Sequence, residues 1–205
     1  MGGLILERCC TSAEQALEAL KNGAARIELC RDLSVGGITP EHSMIIAAMK
    51  TGIPVNVLIR PRGGDFVYTN EEIQQMVSDI EFCRKAGVNG IVIGILHPDG
   101  SVNIEAMRLL INAADGMSIT FHRAFDRCSN PQQALEDIIS LGCNRLLTSG
   151  QQDTAPQGQA LIAELVKQAA GRIIIMPGSG VTPENINSLA VATGAREFHG
   201  TRLAL

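Results

Sequence analysis

The sequence is poor in aromatic residues, which make up 3% of its 205 residues, and it contains no tryptophan. Hydrophobic residues nevertheless account for 45%, so we expect an aliphatic core of Ile, Leu, Val, Ala and Met. A chain of this length buries most of its apolar surface on folding, and it needs neither a disulfide nor a structural metal to close that core. We therefore predict a single domain over residues 1–205.

Positive charge is not concentrated anywhere in the sequence. The formal net charge is −4 and lysine and arginine are scattered, which argues against a nucleic-acid surface or an anionic membrane as partner. No apolar run approaches the roughly 18 residues of a membrane span, and the N-terminus lacks a signal-peptide pattern. We expect a cytoplasmic protein, in which the six cysteines are free thiols or metal ligands rather than disulfides.

Strand and helix patterns alternate along the chain. Four times a helical pattern ends at a glycine and a strand follows, at Gly23, Gly87, Gly142 and Gly194. Further strands are predicted at residues 53–59, 117–125 and 172–176, and residues 4–9 open the series, which makes eight. Helix starts are predicted at Thr11-Ser12, Thr39-Pro40, Thr69-Asn70, Ser129-Asn130-Pro131 and Thr182-Pro183.

Strict alternation of this kind predicts a parallel sheet with right-handed crossovers. Eight such strands most simply close into a (β/α)8 TIM barrel. An open doubly wound sheet is the alternative, and the absence of a glycine-rich dinucleotide motif after the first strand weakens it. We therefore predict an α/β barrel.

The sequence stops at Leu205, directly after the eighth strand pattern. We therefore predict eight strands but only seven helices, with the last helix missing. An apolar strip is then exposed or covered by a neighbouring chain, so a homo-oligomer is expected; truncation of the gene is the alternative explanation.

A Glu-x-Cys pattern lies near the end of each of the first two strands. Side-chain alternation sends Glu7, Cys9, Glu28 and Cys30 into the barrel. Adjacent strands lie about 4.8 Å apart, so the two thiols could share one ligand, and soft thiolates select Cu(I) or Zn over Mg. The carboxylates suit acid–base work or metal binding. The structural alternatives are salt bridges with arginines for the glutamates and plain core packing for the cysteines.

Other polar residues are predicted at the carboxyl ends of the remaining strands, where barrel enzymes keep their chemistry. They are Arg60, Arg62, Asp65, His122, Asp126, Ser149, Gly178, Ser179, Gly180 and His199. Arginines clamp carboxylates or phosphates, and glycine-backed amides after strand seven commonly bind phosphate. For each group there is a structural alternative. The arginines could form ion pairs with Glu28 or Asp65, the histidines could be hydrogen-bonded interior residues, and the glycines could form an ordinary turn.

Taken together, several blocks of sequence resemble the CutC family, named for copper homeostasis, from about residue 4 to residue 202. The longest blocks are Arg60-Pro61-Arg62-Gly63-Gly64-Asp65-Phe66 and Thr120-Phe121-His122-Arg123-Ala124-Phe125-Asp126. The resemblance implies a cytoplasmic, often oligomeric TIM barrel with a role in copper handling, and Cu(I) at the positions of Cys9 and Cys30. Arg8 stands where the family usually has an apolar residue, and the family continues beyond strand eight.

Two functions are therefore predicted. In the first, Cys9 and Cys30 bind Cu(I) at the barrel mouth, and no organic cofactor is expected. In the second, the protein is an isomerase, aldolase or lyase acting on a small anionic or phosphorylated substrate. Glu7, Glu28, His122, Asp126 and His199 are then the catalytic candidates. A purely structural role explains the many interior charges least well, because buried charges are costly unless they are paired or used.

Overall fold

A computed structural model describes residues 3–202, which contain eight strands and seven α-helices. The strands are β1 (Ile5–Cys10), β2 (Arg26–Leu29), β3 (Val55–Leu58), β4 (Gly90–Ile93), β5 (Ser118–Phe121), β6 (Arg145–Thr148), β7 (Ile174–Pro177) and β8 (Glu197–Gly200). The helices are α1 (Ala13–Lys21), α2 (His42–Met49), α3 (Asn70–Lys85), α4 (Ile104–Ala114), α5 (Pro131–Ser140), α6 (Gln159–Ala169) and α7 (Ile186–Thr193). Short 3₁₀ helices cover Leu33–Val35 and Arg123–Arg127.

The strands form one parallel sheet in the order β7-β6-β5-β4-β3-β2-β1-β8. β1 lies between β2 and β8, and β7 and β8 are the two ends of the hydrogen-bonded ladder. The predicted TIM barrel is thus confirmed as a nearly closed barrel. Residues 203–205, on which the expectation of a missing eighth helix partly rests, lie outside the described residues, and the homo-oligomer stays a prediction.

Two predicted boundaries differ from the structure by three residues or more. The fifth strand ends at Phe121 instead of Phe125, because the Nδ1 atom of His122 accepts a hydrogen bond from the amide of Ala124 and turns the chain into a 3₁₀ helix. Helix α7 begins at Ile186 instead of near Pro183, because the side chain of Asn185 accepts the amide of Thr182 and forms a separate turn first.

The side chains of the strands alternate as predicted and form two apolar clusters, one outside the sheet and one inside the barrel. Leu6, Ile27 and Leu29 belong to the large core between the sheet and the helices. A small interior cluster contains Cys9, Cys30, Leu58 and Val92. Each fully buried aliphatic side chain contributes about 1.5–3 kcal/mol, so the large outer core stabilises the fold and leaves the interior free for polar groups. None of the described helices has the length and apolar character that a membrane crossing requires.

The loop from β6 to α6 brings two glycine backbones into contact. A Cβ atom on Gly158 would lie 1.9 Å from the carbonyl oxygen of Ser149 and 2.8 Å from the Cα of Gly150. Gly158 has φ −87° and ψ 9°, which any L-residue can adopt, so the cost of a side chain there is steric. We expect Gly158→Ala to lower the free energy of unfolding in urea by about 1–3 kcal/mol.

The matched control for this change is Gly3→Ala, because nothing lies within 4 Å of a Cβ at Gly3. Its urea midpoint should match that of the unmodified protein. Equal midpoints for both variants would contradict the close contact in the β6–α6 loop.

Candidate functional site

A cavity of about 500 Å³ opens at the carboxyl ends of the strands. Its volume falls within the roughly 300–1,000 Å³ of sites for small organic ligands. Its walls carry six of the predicted site residues, Cys9, Glu28, Cys30, Arg60, His122 and His199, and its rim carries Ser179 and Gly180. The cavity therefore brings together residues from six different strand ends or the loops that follow them.

The two predicted thiols face each other on one wall. The Sγ atoms of Cys9 and Cys30 lie 3.6 Å apart and share a hydrogen bond. Both side chains are buried beside Leu58 and Val92, and neither forms a disulfide. The hydrogen bond with Cys30, and then burial, raise the pKa of the Cys9 thiol well above its ordinary range. Without a ligand, Cys9 is therefore a protonated thiol.

His199 lies next to the thiols, between two carboxylates. Its Nδ1 atom is 2.9 Å from Oε1 of Glu7, and its Nε2 atom is 3.3 Å from Oε2 of Glu28. Burial lowers the pKa of His199, but the charge of Glu28, a hydrogen bond with Cys9 and the contact with Glu7 outweigh burial and raise this pKa well above 6.5. His199 is therefore an imidazolium that can donate to both carboxylates.

A network of ion pairs lies below this histidine. Arg26 donates from Nε to Glu7 at 2.5 Å and from Nη2 to Glu197 at 2.6 Å. Arg145 donates to the same Glu197 oxygen at 2.8 Å, and Asn56 donates to Glu7 at 3.0 Å. The structural alternative considered for Glu7, pairing with an arginine of the barrel floor, is therefore present in the fold.

The charges of this network balance. The carboxyl groups of Glu7, Glu28 and Glu197 stand against the cations of Arg26, Arg145 and His199. Burial raises the pKa of Glu7, but the hydrogen bond from His199 and the charge of Arg26 prevail and hold it at about 2. Burial raises the pKa of Glu28, and His199 only partly opposes that rise. Glu28 thus takes up a proton more readily than Glu7.

Three of these residues can hold a metal ion. One donor atom each from Cys9, Glu28 and His199 lies within 4.8 Å of the others, and the Sγ atom of Cys30 is 3.6 Å from that of Cys9. The set combines soft sulfur with nitrogen and hard oxygen, and soft sulfur selects Cu(I) or Zn.

The opposite wall of the cavity has a different character. His122 is 4% exposed; its Nδ1 atom accepts from the amide of Ala124, and its Nε2 atom has no hydrogen-bond partner among the described residues. Burial, and then the charge of Arg60, lower the pKa of His122 to about 3. His122 is therefore neutral at neutral pH, with its proton on Nε2 because Nδ1 accepts a hydrogen bond.

Arg60 is 5% exposed beside His122. Its Nη1 donates to the carbonyl oxygens of Val35 and Gly37, and its Nη2 donates to that of Gly64. The guanidinium therefore ties the loops after β2 and β3 together at the rim of the cavity.

Several predicted site residues lie outside this cavity wall. Arg62 pairs with Glu72 at 2.6 Å and with Asp65 at 2.9 Å, as one structural alternative anticipated. Asp126 accepts hydrogen bonds from the amide and the hydroxyl of Ser149 and pairs with Arg123. These contacts order the loops after β3, β5 and β6.

Gly178 also lies outside the wall. A Cβ atom at this position would lie 2.5 Å from Cδ1 of Leu147, so the glycine allows a close approach between β6 and the end of β7. Ser179 and Gly180, by contrast, reach the rim.

Phe66 is a cavity residue that the sequence interpretation missed. Its ring lies 5.0 Å from the ring of His122, and the Cζ atom of Arg60 lies 4.8 Å from its centroid. The available signal was its place directly after Asp65, at the end of the block from Arg60 to Phe66. In a sequence so poor in aromatic residues, that position deserved weight.

Comparisons with known proteins agree with the sequence motifs. The CutC family model matches residues 4–204. A protein of Parabacteroides distasonis named as a family protein CutC is 52% identical over 197 residues, which is 95% of this chain and 81% of the relative.

Solved structures agree with this result. A crystal structure of CutC from Streptococcus agalactiae, whose description proposes a role in copper homeostasis, superposes with a TM-score of 0.92 at 35% identity, over 97% of this chain and 99% of that one. A structure described as QR15, an aldolase, gives a TM-score of 0.73 at 14% identity, over 95% of this chain and 89% of its own, and shows the shared fold alone.

Proposed function

The chain belongs to the CutC family, and from this premise we propose that it binds Cu(I) as cargo between Cys9 and Cys30, in the cytoplasm. The observation that carries the proposal is the distance of 3.6 Å between the two Sγ atoms at the cavity wall. Two thiolates suit Cu(I), which prefers soft ligands and low coordination numbers. A reducing compartment keeps such thiols available.

The surroundings of the thiols support this proposal. Both cysteines are buried among apolar side chains, so a bound Cu(I) would be shielded from water. Binding must displace two thiol protons. The carboxyl group of Glu28, which lines the same wall and has a raised pKa, can accept one of them and become neutral, and the other leaves to solvent. A thiolate pair with one Cu(I) carries a single negative charge, which the imidazolium of His199 offsets.

The experiment is an anaerobic titration of the reduced protein with Cu(I) against a strong competing chelator. We expect each chain to bind one Cu(I) tightly. The Cys9→Ser, Cys30→Ser double variant should lose at least about a hundredfold in affinity, since changing residues that merely hydrogen-bond to metal ligands already costs about 10–100-fold.

The matched control is a Cys10→Ser, Cys143→Ser double variant, because both of these cysteines are buried in the outer core, away from the cavity. It should keep the affinity of the unmodified protein. Unchanged affinity in the Cys9→Ser, Cys30→Ser variant, with its fold intact by circular dichroism, would end the copper proposal.

A second candidate function is an enzyme acting on a small anionic substrate, and the size of the cavity favours it. A volume of about 500 Å³ exceeds what a metal ion between two thiols needs. Glu28, with its raised pKa, and the imidazolium of His199 face this volume, as a proton acceptor and a proton donor would in an isomerase, an aldolase or a lyase.

The test of the enzyme hypothesis is a metabolite-library screen for turnover with the unmodified protein and with Glu28→Gln. For a substrate that is turned over, we expect the rate constant to fall by about 10²–10⁴-fold in the variant. Turnover that survives the change, or no turnover across the library, would count against the enzyme.

A further inference from the structure

Within residues 3–202, the charged side chains inside the barrel are paired, with one exception on the cavity wall. The cations and carboxyl groups of the floor balance one another. Arg60 is buried to nearly the same degree, yet no carboxylate of the described residues lies within ion-pair distance of it, and its partners are carbonyl oxygens. A buried cation without a counter-charge is costly, so this wall is suited to an anion.

His122 supplies a hydrogen-bond donor beside this cation. The Nδ1 atom is occupied by the amide of Ala124, and Nδ1 and Cε1 form the ring edge that faces Gly94. The Nε2–H group on the other edge has no partner within residues 3–202, and neither has Nε of Arg60. Buried donors without acceptors are rare in folded proteins and each costs about 1–3 kcal/mol, so a ligand whose acceptor atom reaches either group would satisfy it.

Apolar side chains also line the cavity. Phe66 lies against both Arg60 and His122, and Leu33, Leu58 and Val181 continue the lining. Arg60 is the buried guanidinium of this lining, whereas Arg123 is paired with Asp126 and Arg202 is exposed; Arg60 offsets one negative charge, and a second charge buried beside Phe66 would lie against an apolar side chain. The wall therefore fits a ligand with a single negative charge and an apolar body.

From this geometry we propose that Arg60 and His122 bind the carboxylate of a small organic monoanion whose apolar part packs against Phe66. The proposal deepens the small-anion hypothesis for this cavity, but it requires neither turnover nor copper. In this arrangement His122 is a binding residue, which donates from Nε2 to a carboxylate oxygen.

Two substitutions at His122 distinguish the hydrogen bonds made by its two ring nitrogens. In His122→Asn the side-chain oxygen takes the place of Nδ1, so the hydrogen bond from Ala124 is kept and the Nε2 donor is lost. In His122→Gln the side-chain amide takes the place of Nε2, so the donor is kept. Arg60 is unsuited to this purpose, because its guanidinium also holds the loops after β2 and β3.

The test is isothermal titration calorimetry of the copper-free, reduced protein with 3-phenylpropionate, 3-phenylpropanamide and inorganic phosphate. We expect 3-phenylpropionate to bind at least about tenfold more tightly than the other two probes. We expect His122→Asn to lose about tenfold in affinity for it and His122→Gln to stay within about threefold, since a hydrogen bond to a charged group is worth about a factor of ten or more. Unfolding midpoints confirm that both variants are folded.

Several outcomes would overturn the proposal. They are equal binding of the amide and the carboxylate, tighter binding of phosphate, and equal affinities of the unmodified protein and His122→Asn. Absence of 3-phenylpropionate binding at millimolar concentration would overturn it as well. Because the assay contains neither copper nor turnover, failure of the copper or the enzyme proposal leaves this result unchanged.

Discussion

Replacement of Glu7 by glutamine is expected to lower the free energy of unfolding by about 3–5 kcal/mol at neutral pH, which is the usual cost of removing one partner from a buried ion pair. Glu7 is fully buried and accepts from Arg26 at 2.5 Å and from Asn56 at 3.0 Å, and it contacts Nδ1 of His199 at 2.9 Å. Glutamine keeps the shape of the side chain but removes the charge, so Arg26 and His199 lose a buried counter-charge.

The measurement is urea unfolding followed by circular dichroism. The matched control is Asp115→Asn, which removes a carboxylate that is 76% exposed and lies 3.4 Å from Arg84. Exposed pairs contribute little because water and salt screen them, so the control should unfold at the midpoint of the unmodified protein. If both variants lowered the free energy of unfolding by a similar small amount, the charge of Glu7 would not be needed to stabilise the buried cations of the barrel floor.

The stability difference between the unmodified protein and Glu7→Gln is expected to shrink in acid. The pKa of Glu7 is about 2 in the folded state against an ordinary 4.5. A carboxyl group with a lowered pKa stabilises the fold fully above its ordinary pKa, and this contribution is lost as the pH falls from 4.5 toward 2. The shift corresponds to about 3 kcal/mol.

This expectation is checked by measuring both proteins in urea at pH 6 and again near pH 3. Comparing the two proteins removes the titrations that they share. The raised pKa of Glu28 works in the opposite direction, and it falls in Glu7→Gln because the charge of Glu7 is one of its causes. His199 stays protonated throughout this range, because its pKa is raised. A difference that stays constant with pH would mean that the carboxylate charge of Glu7 is not what stabilises the network.

The cavity divides into two walls with separate chemistry. On the first, Cys9, Cys30, Glu28 and His199 combine sulfur donors with groups that exchange protons. On the second, Arg60 and His122 offer a fixed positive charge and a neutral donor. The copper titration tests the first wall and the carboxylate titration tests the second, so the two proposals can fail independently.

The alternation of strand and helix patterns was enough to predict the barrel, and the period of two within each strand was enough to predict which side chains face inward. Leu6 and Ile27 pack in the outer core, while Glu7, Cys9 and Glu28 lie inside. These are local properties: a strand side chain points to the face opposite its neighbour's, whatever the rest of the chain does. The strand-five boundary failed because the bond from Ala124 to His122 competes with a continued strand.

Tertiary structure alone decided which inward residues meet. The register of parallel strands places Glu7 opposite His199 and Cys9 opposite Glu28, and the first of these pairs joins residues 192 positions apart. No local pattern encodes that register, because it depends on how all the strands tilt as the barrel closes. For the same reason the sequence did not distinguish Arg60 from Arg62. In the fold Arg62 pairs with two carboxylates, whereas the guanidinium of Arg60 donates to backbone carbonyls and, among the described residues, has no carboxylate partner.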